Sequence, residues 1–163
     1  MNICCVRAPL PGLSRIEEVL KRQVKPFRVF FLGDGLADIL KAKNSFPDIE
    51  FDIVCGNCDS LSEYPDVKTE RLVECEGVRF LLMHGHTHHV KFSVYHAAEH
   101  AEELGADVLL YGHTHVMDNS IIKTRSGKEI RVINPGSIGD YFSKSFALVN
   151  VVSGKVICGF GKV

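Results

Sequence analysis

Through the first two thirds of the chain, short apolar runs alternate with segments of helical periodicity. Ile3 to Val6, Val29 to Leu32, Phe51 to Val54 and Val108 to Tyr111 read as buried strands. Ile16, Val19, Leu20 and Val24 form one apolar stripe of a first helix, entered through a capping box of Ser14 and Glu17. Leu36, Ile39 and Leu40 mark a second helix. A third runs through Val94, Ala97, Ala98, Ala101 and Leu104 and is ended by Gly105. Leu72 to Cys75 and Val78 to Met83 flank Glu76-Gly77 as a hairpin. Alternation of this kind predicts an α/β domain. After residue 116 the helical signal disappears. Ile121-Ile122, Ile130 to Ile133, Phe146 to Val152 and Val156 to Cys158 are β-rich, with turn chemistry at Ser126-Gly127, Asn134-Pro135-Gly136 and Ser153-Gly154. The expectation is a single domain over residues 1–163 whose last third is a meander of strands.

Composition removes classes of function. The 163 residues carry 19 basic and 20 acidic side chains, a net charge of -1, so no nucleic acid or anionic membrane is expected as partner. No apolar run approaches the roughly 20 residues of a membrane span. Met1 to Val6 has no basic n-region, so no signal peptide is read, and a cytoplasmic protein with reduced thiols is the expectation. Cys55-Gly56-Asn57-Cys58 matches C-x-x-C, but a zinc ribbon needs a second such pair and the sequence has none. Histidine is the informative residue: all eight lie between His84 and His115.

The unusual polar residues follow the strands. Val29 to Leu32 runs into Gly33-Asp34, and Phe51 to Val54 leads to Gly56-Asn57-Cys58-Asp59. Phe80 to Met83 runs into His84-Gly85-His86, and Val108 to Tyr111 into Gly112-His113-Thr114-His115. Ligands of α/β sheets bind beyond the carboxyl ends of strands, where glycine lets the backbone approach the bound atom. One carboxylate, one amide and three imidazoles suit a divalent ion such as Mn, Fe, Zn or Mg. His113 and His115, two apart in an extended segment, would point to one side with their bases roughly 6–7 Å apart. Each would then hold one of two ions about 3.5–4 Å apart, with the two oxygens of Asp34 available as a bridge. Asp34 also stands where a cap for the helix around Leu36 belongs.

These segments, with Asn134-Pro135-Gly136-Ser137, resemble the calcineurin-like metallophosphoesterases, specifically the small YfcE-like phosphodiesterase branch, over essentially the whole chain. The resemblance implies a four-layer fold, a β-sandwich flanked by helices, that binds two divalent metals at one end. It implies that Asp34 bridges both ions, that Asn57, His84 and His113 bind the second, and that His115 reaches the first. It also implies a metal-activated water acting on a small phosphodiester, with Mn the first choice of metal and Zn, Fe, Ni or Mg alternatives. The chain is then a hydrolase, and a homo-oligomer is possible. Asn57 and His84 join the catalytic set with Cys58, which sits where relatives often place a histidine acid. His86 is expected as a neighbour of the site or a phosphate contact. Asp59 is expected as a turn former supporting the loop. The Asn134-Pro135-Gly136 turn is expected to pack on the metal-binding loops.

The first strand departs from the family. In place of Asp-x-His, residues 7–12 read Arg7-Ala8-Pro9-Leu10-Pro11-Gly12, so Ala8 and Leu10 stand at the two ligand positions of the first metal. Only Asp34 and His115 remain for that site, which predicts weakened activity. The alternative is a non-catalytic scaffold on the same fold, like the retromer subunit that resembles this family. His88 and His89 are expected in a mobile loop over the site. His96 and His100, four apart, share a face with Ser93, Glu99 and Glu103 and read as solvated.

Overall fold

A computed structural model of the chain describes residues 1–8, 12–24, 27–140 and 144–163. Among the described residues, ten strands and three α-helices follow one another, beginning with β1 (Asn2–Val6), α1 (Leu13–Lys21), β2 (Phe27–Leu32), α2 (Leu36–Ser45) and β3 (Glu50–Val54). Then come β4 (Glu70–Cys75), β5 (Val78–Met83), α3 (Tyr95–Glu103), β6 (Val108–Tyr111), β7 (Met117–Lys123), β8 (Glu129–Pro135), β9 (Ser145–Val152) and β10 (Lys155–Lys162). They form two five-stranded sheets, ordered β10-β9-β1-β2-β3 and β4-β5-β6-β8-β7. β1, β2 and β3 are parallel, as are β5, β6 and β8, so the carboxyl ends of the central strands share one edge in each sheet.

Two-residue alternation builds the layers. Ile3, Cys5, Phe30, Leu32, Phe80, Leu82 and Leu110 point inward and fill the space between the sheets. The Phe30 and Phe80 rings meet edge to face at 5.7 Å. A phenylalanine buried this fully contributes about 1.5–3 kcal/mol. Their neighbours Cys4, Val6, Val29 and Phe31 point outward under α1 and α2, while Leu81, Met83 and Leu109 lie under the alanine face of α3. The result is the four-layer arrangement of helices, sheet, sheet and helix. Glu76 and Gly77, both at positive φ, close the β4–β5 hairpin, as a two-residue turn requires.

Three expectations change. Val24 is not on the α1 stripe, because the helix stops at Lys21 and Val24 is 80% exposed. Ser14 and Glu17 make no capping box. Ser14 already lies inside α1, and the carboxylate of Asp38 on α2 accepts the amides of Gly12 (2.6 Å) and Leu13 (3.1 Å) instead. The last four strands are not one meander. β7 and β8 complete the second sheet, with β8 parallel to β6, whereas β9 crosses to pair with β1 in the first. Turn residues mark where strands end but carry no information about which sheet they join.

Candidate metal centre

At the shared strand edge the loops approach closely. A Cβ on Gly33 would lie 2.6 Å from the backbone nitrogen of Gly56, and one on Gly56 would run into Asp34, so both positions need glycine. Asp34, His113 and His115 all take left-handed φ of 62–63°. That conformation costs a non-glycine residue of order 1 kcal/mol or more and concentrates at functional sites. It also corrects the extended geometry expected for His113 and His115, because the segment after β6 curls at each histidine.

His84 is fully buried. Its Nδ1 lies 2.7 Å from the carbonyl of Leu32, the last residue of β2, and donates to it. In the neutral ring this leaves a bare lone pair on Nε2. Around that atom stand Asn57 Oδ1 at 3.1 Å, His113 Nδ1 at 3.1 Å and Asp34 Oδ2 at 3.3 Å. A proton on Nε2 satisfies only one of these acceptors. Separations of 3.1–3.3 Å match adjacent ligand atoms around one ion with bonds of about 2.1 Å. The donor types and their spacing about His84 suit a divalent metal, and Asp34, Asn57, His84 and His113 are the residues that could hold it.

Asp34 is 2% exposed. Burial alone would raise its pKa, but the His84 ring in its protonated form, the hydrogen bond from the Cys58 amide (2.9 Å) and Arg7 outweigh it and hold the carboxyl well below the usual carboxylate range. His113 is pushed down to about 4, first by burial and then by the neighbouring histidine and Lys91. Its imidazole is neutral near pH 7, the form that binds metal.

Asp34 is not the cap of α2. Asp59 takes that part and more: its Oδ1 accepts the amides of Gly35 (2.7 Å) and Leu36 (2.9 Å), and its Oδ2 those of Asp34 (2.8 Å) and Gly56 (2.7 Å). One carboxylate thus ties the β2 loop to the β3 loop. Asn134, at the end of β8 rather than in a turn, donates to the Gly112 carbonyl (2.9 Å) and the Thr114 hydroxyl (3.0 Å), packing on the β6 loop as expected. His86 lies beside the site, its ring centroid 5.4 Å from that of His84, with a buried Nδ1 that has no partner among the described residues. Cys58 is exposed, and burial followed by the charge of Asp34 pushes its thiol up.

The first-metal corner differs. Ala8 is fully buried in the core beneath α1 and α2, and Leu10 lies outside the described residues, as do Pro9 and Pro11. Arg7, which follows β1 directly, turns its side chain inward and is 2% exposed. Its guanidinium pairs with Asp34 Oδ2 and reaches the Ser137 hydroxyl at 3.3 Å. His115 faces the same corner, with its Nδ1 3.3 Å from Asp140 Oδ2. Burial, then the charge of Arg7, lowers the His115 pKa, which places the guanidinium charge in the same corner. Sequence reasoning missed Arg7 and Asp140. A charged residue directly after an apolar strand, where the other strands present their ligands, was the available signal for Arg7.

His88 and His100 also depart from expectation. His88 ends a 3-10 turn, His86–His88, and stacks on His100 of α3 at 4.8 Å, while His100 Nε2 meets Glu70 of β4 at 3.0 Å. His96 remains exposed.

Residues 12–154 match the model of the calcineurin-like phosphoesterase superfamily domain. Over 86 residues the chain is 36% identical to "Probable metallophosphoesterase YsnB" of Bacillus subtilis (strain 168), covering 53% of this chain and 46% of that protein. The chain spans about half the length of the curated relatives it matches. Among solved structures it is similar to a conserved uncharacterized protein of Streptococcus pneumoniae TIGR4 described as a predicted phosphoesterase. That likeness has a TM-score of 0.78 at 25% identity and covers 98% of this chain and 87% of that one. It is also similar in fold to a single mutant of Vps29 from Entamoeba histolytica, with a TM-score of 0.73 at 19% identity over 100% and 99% of the two chains. No described helix is long and apolar enough to cross a membrane. With its loops converging at one edge of a four-layer sandwich, the chain belongs to the calcineurin-like phosphoesterase superfamily.

Proposed function

We propose that the chain is a divalent-metal-dependent phosphoesterase of the cytoplasm, acting on a small phosphodiester. The carrying observation is His84 Nε2, a lone pair faced by the acceptor atoms of Asp34, Asn57 and His113. Mn is the first choice of metal, with Zn, Fe, Ni or Mg suited to the same donors. Bound there, such an ion supplies polarisation of a phosphoryl oxygen and lowers the pKa of a water toward ~7. The Leu32 carbonyl fixes the tautomer of His84, and the His86 ring borders the space where a phosphoryl group would lie. Arg7 takes the charge role of a first ion, so the centre holds one metal and one guanidinium. Its burial keeps it behind Asp34 as a positioning residue.

Hydrolysis of bis-p-nitrophenyl phosphate with and without added Mn tests this reading. Turnover in the parent, lowered at least about 100-fold in His113→Ala, is the expected result. No turnover at any Mn concentration, together with no bound metal by elemental analysis, overturns it. Cys58 has a smaller part. A thiol raised above its ordinary pKa is a poor proton donor near neutral pH, so Cys58→Ser lowers the rate less than about tenfold. A loss beyond about 100-fold would restore it as the leaving-group acid.

Arg7 favours a second reading. A protein cation already neutralises Asp34, so the fold holds together without metal there, as a scaffold on this fold requires. Under that reading His113→Ala changes no measured turnover because there is none. The metal-site surface would instead serve as a protein interface.

A further inference from the structure

A second cluster of metal-competent side chains lies away from the candidate centre, at the junction of β4, the 3-10 turn and α3. Glu70, His88 and His100 each offer one ligand atom, all within 4.8 Å of one another, and all three residues are half-buried. Both oxygens of Glu70 face His100 Nε2, at 3.2 and 3.0 Å, the same spacing seen among the donors around His84. His88 lies over His100 with ring centroids 4.8 Å apart and planes 30° apart. Its Nδ1 is 3.1 Å from the Thr87 hydroxyl, which leaves Nε2 free as a donor atom. On the far side of His100, Nδ1 is 3.7 Å from the exposed carboxylate of Glu103.

We propose that Glu70, His88 and His100 form a second, structural divalent-metal site that takes zinc. Two imidazoles and one carboxylate are a zinc donor set, and the partial exposure leaves the remaining position to water. The ligands come from three separate elements, so zinc here would pin the 3-10 turn that begins at His86 to β4 and α3. It would hold His86 at its place beside the candidate centre. The proposal does not depend on phosphoesterase activity.

The test counts zinc retained after gel filtration and follows visible absorption of the Co2+-loaded protein. It uses the parent, Asn57→Ala with His113→Ala, and those two changes combined with His88→Ala and His100→Ala. The expected counts are two, one and none. In the parent background, His88→Ala weakens the retained ion at least tenfold. Glu70→Gln does the same while keeping its shape, and circular dichroism verifies the fold of each variant. His88→Ala removes no ion pair, so it keeps the test decisive even where His100→Ala fails to fold. A zinc count indifferent to His88, His100 and Glu70 overturns the proposal, as does complete loss of zinc with only Asn57 and His113 changed. Failure of the metal centre alone has a different signature: the parent and the Asn57→Ala, His113→Ala protein both hold one ion, and that ion is lost with His88 and His100.

Discussion

Arg7→Met destabilises the metal-free protein by roughly 3–5 kcal/mol at pH 7, read as a shift of the urea unfolding midpoint. The reason is the Asp34 carboxylate, which is 2% exposed and keeps only the Cys58 amide and His84 once the guanidinium is gone. Removing one partner of a buried ion pair leaves an uncompensated charge, and that penalty is of this size. Methionine preserves most of the volume of the arginine stem, so the loss reports the charge more than a cavity. Mn2+ then recovers more stability in Arg7→Met than in the parent, because Asp34 Oδ2 no longer shares its lone pairs with the guanidinium. An ion present at about 100 times its Kd would return about 2.7 kcal/mol. Adding Ala8→Asp to Arg7→Met increases the number of Mn ions bound per chain. A destabilisation below about 1 kcal/mol in metal-free buffer would show that Arg7 is not the counter-charge of Asp34, and the reading of the corner as a one-metal centre would fall with it.

The second large effect belongs to Asp59. Its carboxylate accepts four backbone amides at 2.7–2.9 Å, from Asp34, Gly35, Leu36 and Gly56. Charge-assisted bonds of this kind are about twice as strong as neutral ones, and partly buried amides left without acceptors cost about 1–3 kcal/mol each. Asp59→Ala is expected to lose roughly 3–4 kcal/mol. Asp59→Asn is expected to lose at least about 2 kcal/mol, because its amide nitrogen points N–H groups at backbone N–H groups. Both changes release Asp34 from its left-handed turn, so metal affinity should fall at least about tenfold along with stability. An Asp59→Asn protein with the parent's unfolding midpoint and metal affinity would show that the glycine-flanked turns hold themselves.

Most of the layered fold was legible in the sequence, since it rests on local rules. Period-two alternation in Ile3 to Val6 and Val29 to Leu32 decides which side chains face the opposite sheet and which face helices. The strand ends that bring Asp34, Asn57, His84 and His113 together were legible for the same reason: a strand running into glycine and a polar residue is a local pattern, and Gly33 and Gly56 are glycine because their loops touch. The capping box at Ser14 misled because that motif competes with a tertiary partner, and Asp38 on α2 supplied the cap from 26 residues away. His100 looked solvated on its own helix because its partners, Glu70 and His88, belong to a strand and a turn.

The sequence by itself determined the α/β alternation, the inward and outward faces of the strands, and the set of donors at their carboxyl ends. Each is written in spacings of two to four residues and in the φ that glycine permits. Tertiary structure alone decided that Arg7 pairs with Asp34, that Asp59 rather than Asp34 caps α2, and that the last four strands divide between two sheets. Those outcomes depend on which charges and amides meet across loops 23 or more residues apart. A buried charge settles on whichever opposite group the packing brings within reach, and no local pattern names that group.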